Sequence, residues 1–528
     1  MEQVQKLSPT LIFSFVIGYF ILLLLVAWFT GRKNSNQSFF VGNKTSPWYV
    51  VAFGMIGASM SGVTFISIPG AVGNMGSPNF AFSYMQMALG YLVGYAVIGL
   101  VLLPLYYRLN LTSIYTYLEQ RFGTKSHKTG AAFFLLSRTI GSAFRLYLVA
   151  IVLQRFVFDA WHIHFVFTVA FTLILIWIYT RKGGIHTVVW TDTMQTFFML
   201  FAVVLTVYYI SEDMGVSIGG MIDLVEQSPY SKIFFWEPKA DTYFWKQFIG
   251  GALIAIVMTG LDQDMMQKNI SCKNIKEAQL NMFSFSIVLV FANLLFVSLG
   301  AMLYIYAASK GITTPEKTDY LFPTLAFNHF TPIAGVVFII GLIAAAYSSA
   351  DSALTALTTS VCVDFLGFEK GAAKGEIVVP KTDRVAALDA GNIPHRRTDY
   401  AFTKTEEELV DTRKWVHIAV TFVMFLTIIL FKYVLAEDVV SAVFKIAGFT
   451  YGPLLGLFMF GIITKRAIND SLAPIVCIAA PIVCIVLNAY SVEWFGGYKF
   501  GIEILLLNGL LTFLGLLAIS RDVSYSLK

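Results

Sequence analysis

Charge is scarce in this chain. Of its 528 residues 13% are Asp, Glu, Lys or Arg, against about 25% in soluble domains. That excludes an ordinary water-soluble globule. Cysteine is scarcer still: Cys272, Cys362, Cys477 and Cys484. They show no metal-ligand spacing and fall in or beside apolar runs, so they read as small apolar fillers with no disulfide. No phosphate-binding P-loop motif occurs, which argues against transport driven directly by ATP on this chain. The alternation of a membrane β-barrel is also missing. The net charge of +5 calls for no nucleic-acid partner. The first apolar run, Leu11 to Phe29, has no A-x-A cleavage site, and its basic residues Arg32 and Lys33 follow it. The run therefore reads as a permanent first helix with its N-terminus outside.

What the chain has is apolar length. It is 57% hydrophobic, with a mean hydropathy of +0.70. The apolar runs are roughly 20 residues long, enough to cross about 30 Å of hydrocarbon. Hydropathy predicts about thirteen spans, near 9–30, 48–72, 79–106, 129–158, 163–180, 187–210, 247–266, 279–307, 333–362, 415–433, 439–464, 471–490 and 501–519. Alternate loops separate by charge. One set carries Arg108, Arg121, Lys125, Lys128, Arg181, Lys182, Lys268, Lys273, Lys276, Lys465 and Arg466. The other set is short, or mixed and acidic, as in 211–246. Basic loops favour the cytoplasm, so the N-terminus is expected outside and the C-terminus inside a plasma (inner) membrane. The one large hydrophilic insertion, 367–414, reads as a cytoplasmic linker, with Thr403 or Thr405 followed three residues later by Glu406 or Glu408 as a helix start.

Two spans, the second and the eleventh, are poor continuous helices, and the seventh also contains several glycines. The second carries Gly54, Gly57, Gly62, Pro69 and Gly70, the seventh Gly250, Gly251 and Gly260, and the eleventh Gly448, Gly452 and Pro453. Unwound backbone at membrane depth is tolerated only against protein or a cavity, and discontinuous helices mark a transporter's ion and substrate site. The bland alternative is close packing of small residues. In the second span Ser59, Ser61 and Thr64 accompany the glycines.

The ninth span contains "AAAYSSADSALTAL", 344–357. On a helix Ala345, Ser348, Ser349, Ser352, Thr355 and Thr359 share one face about 160° wide, with Asp351 at its edge. Hydroxyls and freed carbonyls suit Na⁺. Serines in membrane helices also bond back to the i−4 carbonyl. A carboxylate at mid-membrane costs at least ~2.5 kcal/mol and is functional by default. A second acid, Asp192, lies in "VVWTDTMQ". In "SRTIGSAFRLYL", 137–148, Arg138, Gly141 and Arg145 share one helical face. Lys445 opens the glycine-broken eleventh span.

These pieces resemble the sodium:solute symporter family. The resemblance rests on "FFVGNKTSPWYVV" before the glycine-rich second span, "GGIHTVVWTDTMQ", "AAAYSSADSALTALTTSVCVDF" and "GPLLGLFMFGIITKR", in that order. It covers roughly 10–520 and implies an all-α LeuT-like fold in one transporter domain. An extra N-terminal helix (9–30) would precede inverted five-helix repeats over 48–211 and 240–465, and two helices (471–519) would end the chain. By position, the family's principal sodium site implies carbonyls of Gly57, Met60 and Ala345 and hydroxyls of Ser348 and Ser349. Some members hold a second sodium, which here implies Asp192, Ser348, Asp351 and Ser352. The two-sodium members carry serine where this chain has Asp351, so one Na⁺ or two remain open. Asp351 is a second-sodium ligand, a proton carrier or a partner of Arg145.

Most polar groups of the sugar-transporting members are missing at the matching positions, which include Ser59, Met85, Gly141, Ala255, Met258, Leu289 and Phe444. An arginine fork suits a carboxylate. The expectation is Na⁺-coupled symport of an anionic solute, a sialic acid or another organic acid, with Ser59, Ser61, Thr64, Gln86, Arg138, Gly141, Arg145 and Lys445 as the substrate set. Neutral-sugar, amino-acid and proton-coupled symport are the alternatives. A membrane enzyme is disfavoured because the seven histidines fall in loops or near span ends, and a channel because no selectivity filter is recognisable. The expected partners are the solute, Na⁺ and the bilayer, with no obligatory protein partner.

Overall fold

The computed structural model describes residues 8–31, 35–368, 406–434, 439–498 and 500–522. Most of the expected 367–414 linker, with Thr403 and Thr405, lies outside the described residues. So do Arg32, Lys33 and the side chain of Phe444.

The longer helices, numbered in chain order, are α1 (Pro9–Thr30), α2 (Trp48–Ser59), α3 (Gly62–Ala71), α4 (Tyr84–Arg108), α5 (Thr124–Trp161), α6 (Phe165–Gly183), α7 (Ile185–Asp213) and α8 (Phe244–Gly260). They continue with α9 (Gln263–Ile270), α10 (Ile275–Ser309), α11 (Pro332–Phe365), α12 (Glu406–Val434), α13 (Val439–Thr450), α14 (Gly452–Ile463), α15 (Ala473–Ala489) and α16 (Ile504–Ala518). Their starts follow local chemistry. Ser8 accepts from the Leu11 N–H and Pro9 sits where no N–H is needed. Thr331 and Pro332 open α11 the same way.

Among the described residues eight helices are long and apolar enough to cross a membrane, and two bent pairs raise that to ten. The pairs are α2 with α3, bent by 54°, and α8 with α9, bent by 65°. The expected interruption of the second span therefore appears, at Met60–Ser61 rather than at Pro69, which stays inside α3, and the glycine-containing seventh span breaks at Leu261–Asp262. The eleventh span divides at Tyr451 into two helices of 12 residues each. These, with α15 and α16, are too short for single straight crossings, so the figure of about thirteen spans is not reproduced by helix length. The acidic loop 211–246 holds a helix that hydropathy did not suggest, Ile218–Gln227, capped by Ser217.

Burial orders the bundle. In α11, 83% of the apolar window is buried, against 33% in α1 and 22% in α12. Thus α11 is the central helix, and α1 and α12 present their apolar sides outward. Helix α11 packs on α7, α5, α2, α3 and α12. A two-residue antiparallel pairing, Ala467–Ile468 with Ser520–Arg521, ties the chain's end back to the start of α15.

Candidate functional site

The break in α2–α3 begins the site. Helix α2 ends at Ser59, and Met60 (φ −89°, ψ 88°) and Ser61 (φ −83°, ψ −178°) are non-helical before α3 resumes. Carbonyls of a helix's last turn have no intrahelical donors. Gly57 and Met60 sit at that end. Gly57 also permits a close approach. A Cβ there would lie 2.2 Å from Thr196 Oγ1 and 3.3 Å from Ser348 Oγ, and its N–H donates to Thr196 Oγ1 at 3.0 Å. Glycine thus seats the broken helix against both α7 and α11.

The facing stripe of α11 divides by residue type. Thr355 and Thr359 bond back to the carbonyls of Asp351 and Thr355, both at 2.9 Å. The serines reach across instead. Ser348 donates to Asp192 Oδ1 at 2.7 Å and Ser352 to Asp192 Oδ2 at 3.2 Å. Ser349 Oγ accepts from Arg145 Nη1 at 2.9 Å. Ala345, one turn earlier, shares this buried face. Of the five expected principal sodium residues, Gly57 and Ser348 face each other directly, while Met60 lies at the break and Ala345 and Ser349 lie on the facing helix α11.

The expected second set also converges, around a cation supplied by the chain. Lys268 Nζ lies 2.7 Å from Asp192 Oδ2, and both groups are fully buried. Lys268 is therefore no loop cation, contrary to its place in the basic-loop pattern. The α8–α9 break turns "QDMMQKNI" inward as a helix, capped by Asp262, which accepts from the Asp264 N–H at 2.9 Å. Asp351 faces Tyr179, which donates to Oδ2 at 3.0 Å, and Thr191 at 3.4 Å, while its Oδ1 accepts the Ser352 N–H at 2.6 Å. The Arg145–Asp351 pair held open above is not formed: Arg145 turns to Ser349.

The two arginines of α5 differ. Arg138 is neutralised, hydrogen-bonded to Asp264 and 3.9 Å from Asp262. Tyr451, at the α13–α14 division, donates to Asp262 at 2.6 Å. Arg145 makes no ion pair among the described residues; its hydrogen bond goes to the Ser349 hydroxyl. Both arginines line a cavity of about 90 Å³, together with Ser59, Met60, Ser61 and Thr64 of the break. That volume holds several waters or a small solute group. Gly141 lines a smaller adjoining space of about 10 Å³.

Two expected substrate residues stand apart. Gln86 is fully engaged with loop backbone: Nε2 donates to the carbonyls of Thr242 (2.8 Å) and Ser83 (3.3 Å), and Oε1 accepts the Phe235 N–H (3.1 Å). Lys445 is exposed on α13. Neither lines either cavity. The residues that sequence reasoning missed are Lys268, Asp262 and Asp264. Their signal was three ionisable groups spaced over 262–268, just after Gly260 at the end of a span.

A polytopic bundle with two broken helices around an internal cavity is the architecture of secondary transporters. The family model for the sodium:solute symporter family matches residues 39–390, and the chain belongs to that family. The chain is 24% identical over 479 residues to the sodium/sialic acid symporter NanT of Aliivibrio fischeri, covering 88% of this chain and 85% of that one. It is 27% identical over 297 residues to the human sodium/iodide cotransporter, covering 53% of this chain and 44% of that one. Among solved structures it resembles the substrate-bound outward-open state of a Na⁺-coupled sialic acid symporter, with a TM-score of 0.76 and 20% identity over 97% of this chain and 99% of that one. At that identity the likeness establishes the LeuT-like fold. The protein is a membrane-embedded, Na⁺-coupled solute symporter and not an enzyme.

Proposed function

We propose that this symporter carries one Na⁺ together with one small organic anion, a carboxylate such as a sialic acid, by alternating access. Arg145 is the observation that carries the anionic solute. It is a guanidinium at the wall of a small cavity of mixed polar and apolar lining, with no carboxylate partner among the described residues. A half-buried cation without a counter-ion still carries part of the cost of leaving water, and a carboxylate matches its fork bidentately. Ser59, Ser61 and Thr64 supply hydroxyls beside it, and Gly141 gives room. The relatives' solutes, sialic acid and iodide, are both anions.

Sodium enters between α2 and α11, held by carbonyls of Gly57, Met60 and Ala345 and by Ser348 and Ser349. Ser348 spends its one hydrogen on Asp192, so its lone pairs stay free for an ion. At the second set the Lys268 ammonium already meets Asp192, which supports one Na⁺ rather than two. With Asp351 ionised, Asp192, Asp262, Asp264 and Asp351 number one more than Lys268, Arg138 and Arg145, which favours admitting a cation; with Asp351 protonated the set balances. The two bent pairs fall in corresponding places, each first in its half, which supports the repeats 48–211 and 240–465. The basic loops, now without Lys268, still favour an outside N-terminus and a cytoplasmic C-terminus in the plasma (inner) membrane.

Uptake into cells or proteoliposomes tests this. Replacing Na⁺ by K⁺ should abolish saturable uptake, and organic acids should compete where neutral sugars do not. Competition by sugars alone would falsify the anionic reading. Ser349→Ala should raise the Na⁺ concentration needed for half-maximal uptake, and an unchanged Na⁺ dependence at normal expression removes Ser349 from the sodium set.

A further inference from the structure

Two neighbouring serines of α11 stand in opposite states. Ser348 donates its hydrogen to Asp192 at 2.7 Å and keeps both lone pairs open. Ser349 receives the Arg145 guanidinium at 2.9 Å, so one of its lone pairs is taken by a cation. That same guanidinium lines the solute cavity. One side chain therefore touches the proposed sodium ligand and the proposed solute site at once.

We propose that Arg145 couples the two ligands. It rests on Ser349 when no solute is present, where it takes one of the two lone pairs of a sodium ligand and opposes the ion's charge. A bound carboxylate draws it off into the cavity. This inference rests on the assignments of Ser349 to sodium and Arg145 to the solute.

The consequence is reciprocal. Sodium arriving at Ser349 repels the guanidinium and presents it to the cavity, so Na⁺ raises solute affinity. A carboxylate that holds Arg145 frees the Ser349 lone pair, so solute raises Na⁺ affinity. Linkage requires the two factors to be equal. No long-range path is needed, because the two sites share a hydrogen-bonded pair of side chains. Arg138 cannot take this role while Asp264 and Asp262 hold it.

The test is Na⁺ binding to the purified full-length protein without any solute. An anchor for a carboxylate has no effect on Na⁺ under those conditions; a competitor at Ser349 does. Arg145→Gln should bind Na⁺ about fivefold tighter than wild type, or more, the lower end of ordinary coupling. Arg145→Met, which keeps the apolar stem and loses the charge, should do the same and serves if the glutamine variant does not fold. Wild-type or weaker Na⁺ affinity in the folded variants overturns the coupling. Carboxylate uptake by the same variants separates the two readings. Lost uptake with unchanged Na⁺ affinity leaves Arg145 a plain anchor and sinks only the coupling. Tighter Na⁺ with uptake retained keeps the competition at Ser349 and removes Arg145 as the solute's anchor.

Discussion

At the scale of single residues, the site depends on one missing methyl group and one internal cation. A Cβ on Gly57 would meet Thr196 Oγ1 at 2.2 Å and Thr196 Cβ at 3.2 Å. Overpacking of this kind costs about 1–3 kcal/mol. Gly57→Ala should therefore raise the half-saturating Na⁺ concentration of uptake roughly tenfold, since Ser348 lies on the same side. Adding Thr196→Ala removes the nearer clash and should recover part of that loss. Wild-type Na⁺ dependence in Gly57→Ala would detach the glycine from the ion site. Lys268 is the second case. Removing one partner of a buried ion pair costs ~3–5 kcal/mol. Lys268→Met should lower the thermal midpoint measurably, and Lys268→Met with Asp192→Asn should restore most of it. Equal midpoints for the single and double variants would mean that the pair does not balance charge.

Those two residues also mark what the sequence could and could not reveal. Gly57, Ser348 and Ser349 were legible because each is the wrong residue for a lipid-facing helix. Gly57 and Ser348 meet because a missing Cβ on one helix faces a hydroxyl on its neighbour. Lys268 was not legible. A lysine following an apolar span reads as the start of a loop, and only the 65° bend between α8 and α9 turns it inward. Gln86 misled for a different reason. It lies beside cavity tyrosines, but its partners are backbone groups at Phe235 and Thr242, some 150 residues away, and no pattern of side chains announces a backbone partner.

At the scale of elements, rigid and broken helices have separate tasks. Helix α11 is continuous, and its threonines close on their own backbone, so it presents Ser348, Ser349 and Ser352 from a fixed frame. Helices α2–α3 and α8–α9 are interrupted and supply the unsatisfied backbone and the charged groups. Glycine alone did not locate these breaks: α11 keeps Gly335 and Gly341 inside regular helix, whereas α2 stops at Met60–Ser61. What differs is the polar company of the break. The loop before α8 is a third element, pinned to α4 by Gln86. Each lost hydrogen bond is worth about 1 kcal/mol net. Gln86→Leu should speed hydrogen exchange across 232–243 while leaving the solute's half-saturation constant within about twofold, because the amide lines no cavity. A larger loss of solute affinity with unchanged exchange would return Gln86 to the substrate set.

At the scale of the whole molecule, the ion count fixes the energetics. One Na⁺ carried with one monovalent anion moves no net charge. The membrane potential, worth about 2.3 kcal/mol per charge at 100 mV, then contributes nothing to accumulation. The driving force is the Na⁺ gradient alone, about 1.4 kcal/mol for each tenfold ratio, and it can sustain up to tenfold accumulation of the anion. A second Na⁺ at Asp192 and Asp351 would add its own gradient and make each cycle electrogenic. The Lys268 ammonium stands in that position as a charge that stays with the protein. Proteoliposomes with a fixed Na⁺ gradient and a K⁺ diffusion potential set by valinomycin separate the cases. Steady accumulation of a monocarboxylate substrate should be the same at zero and at inside-negative potential in the wild-type chain. Accumulation that grows with the inside-negative potential would require a further cation per cycle, and the one-sodium assignment would fall with it. If Lys268 is what excludes that ion, Lys268→Gln should convert the potential-independent carrier into a potential-driven one, a change that loss of stability alone does not produce.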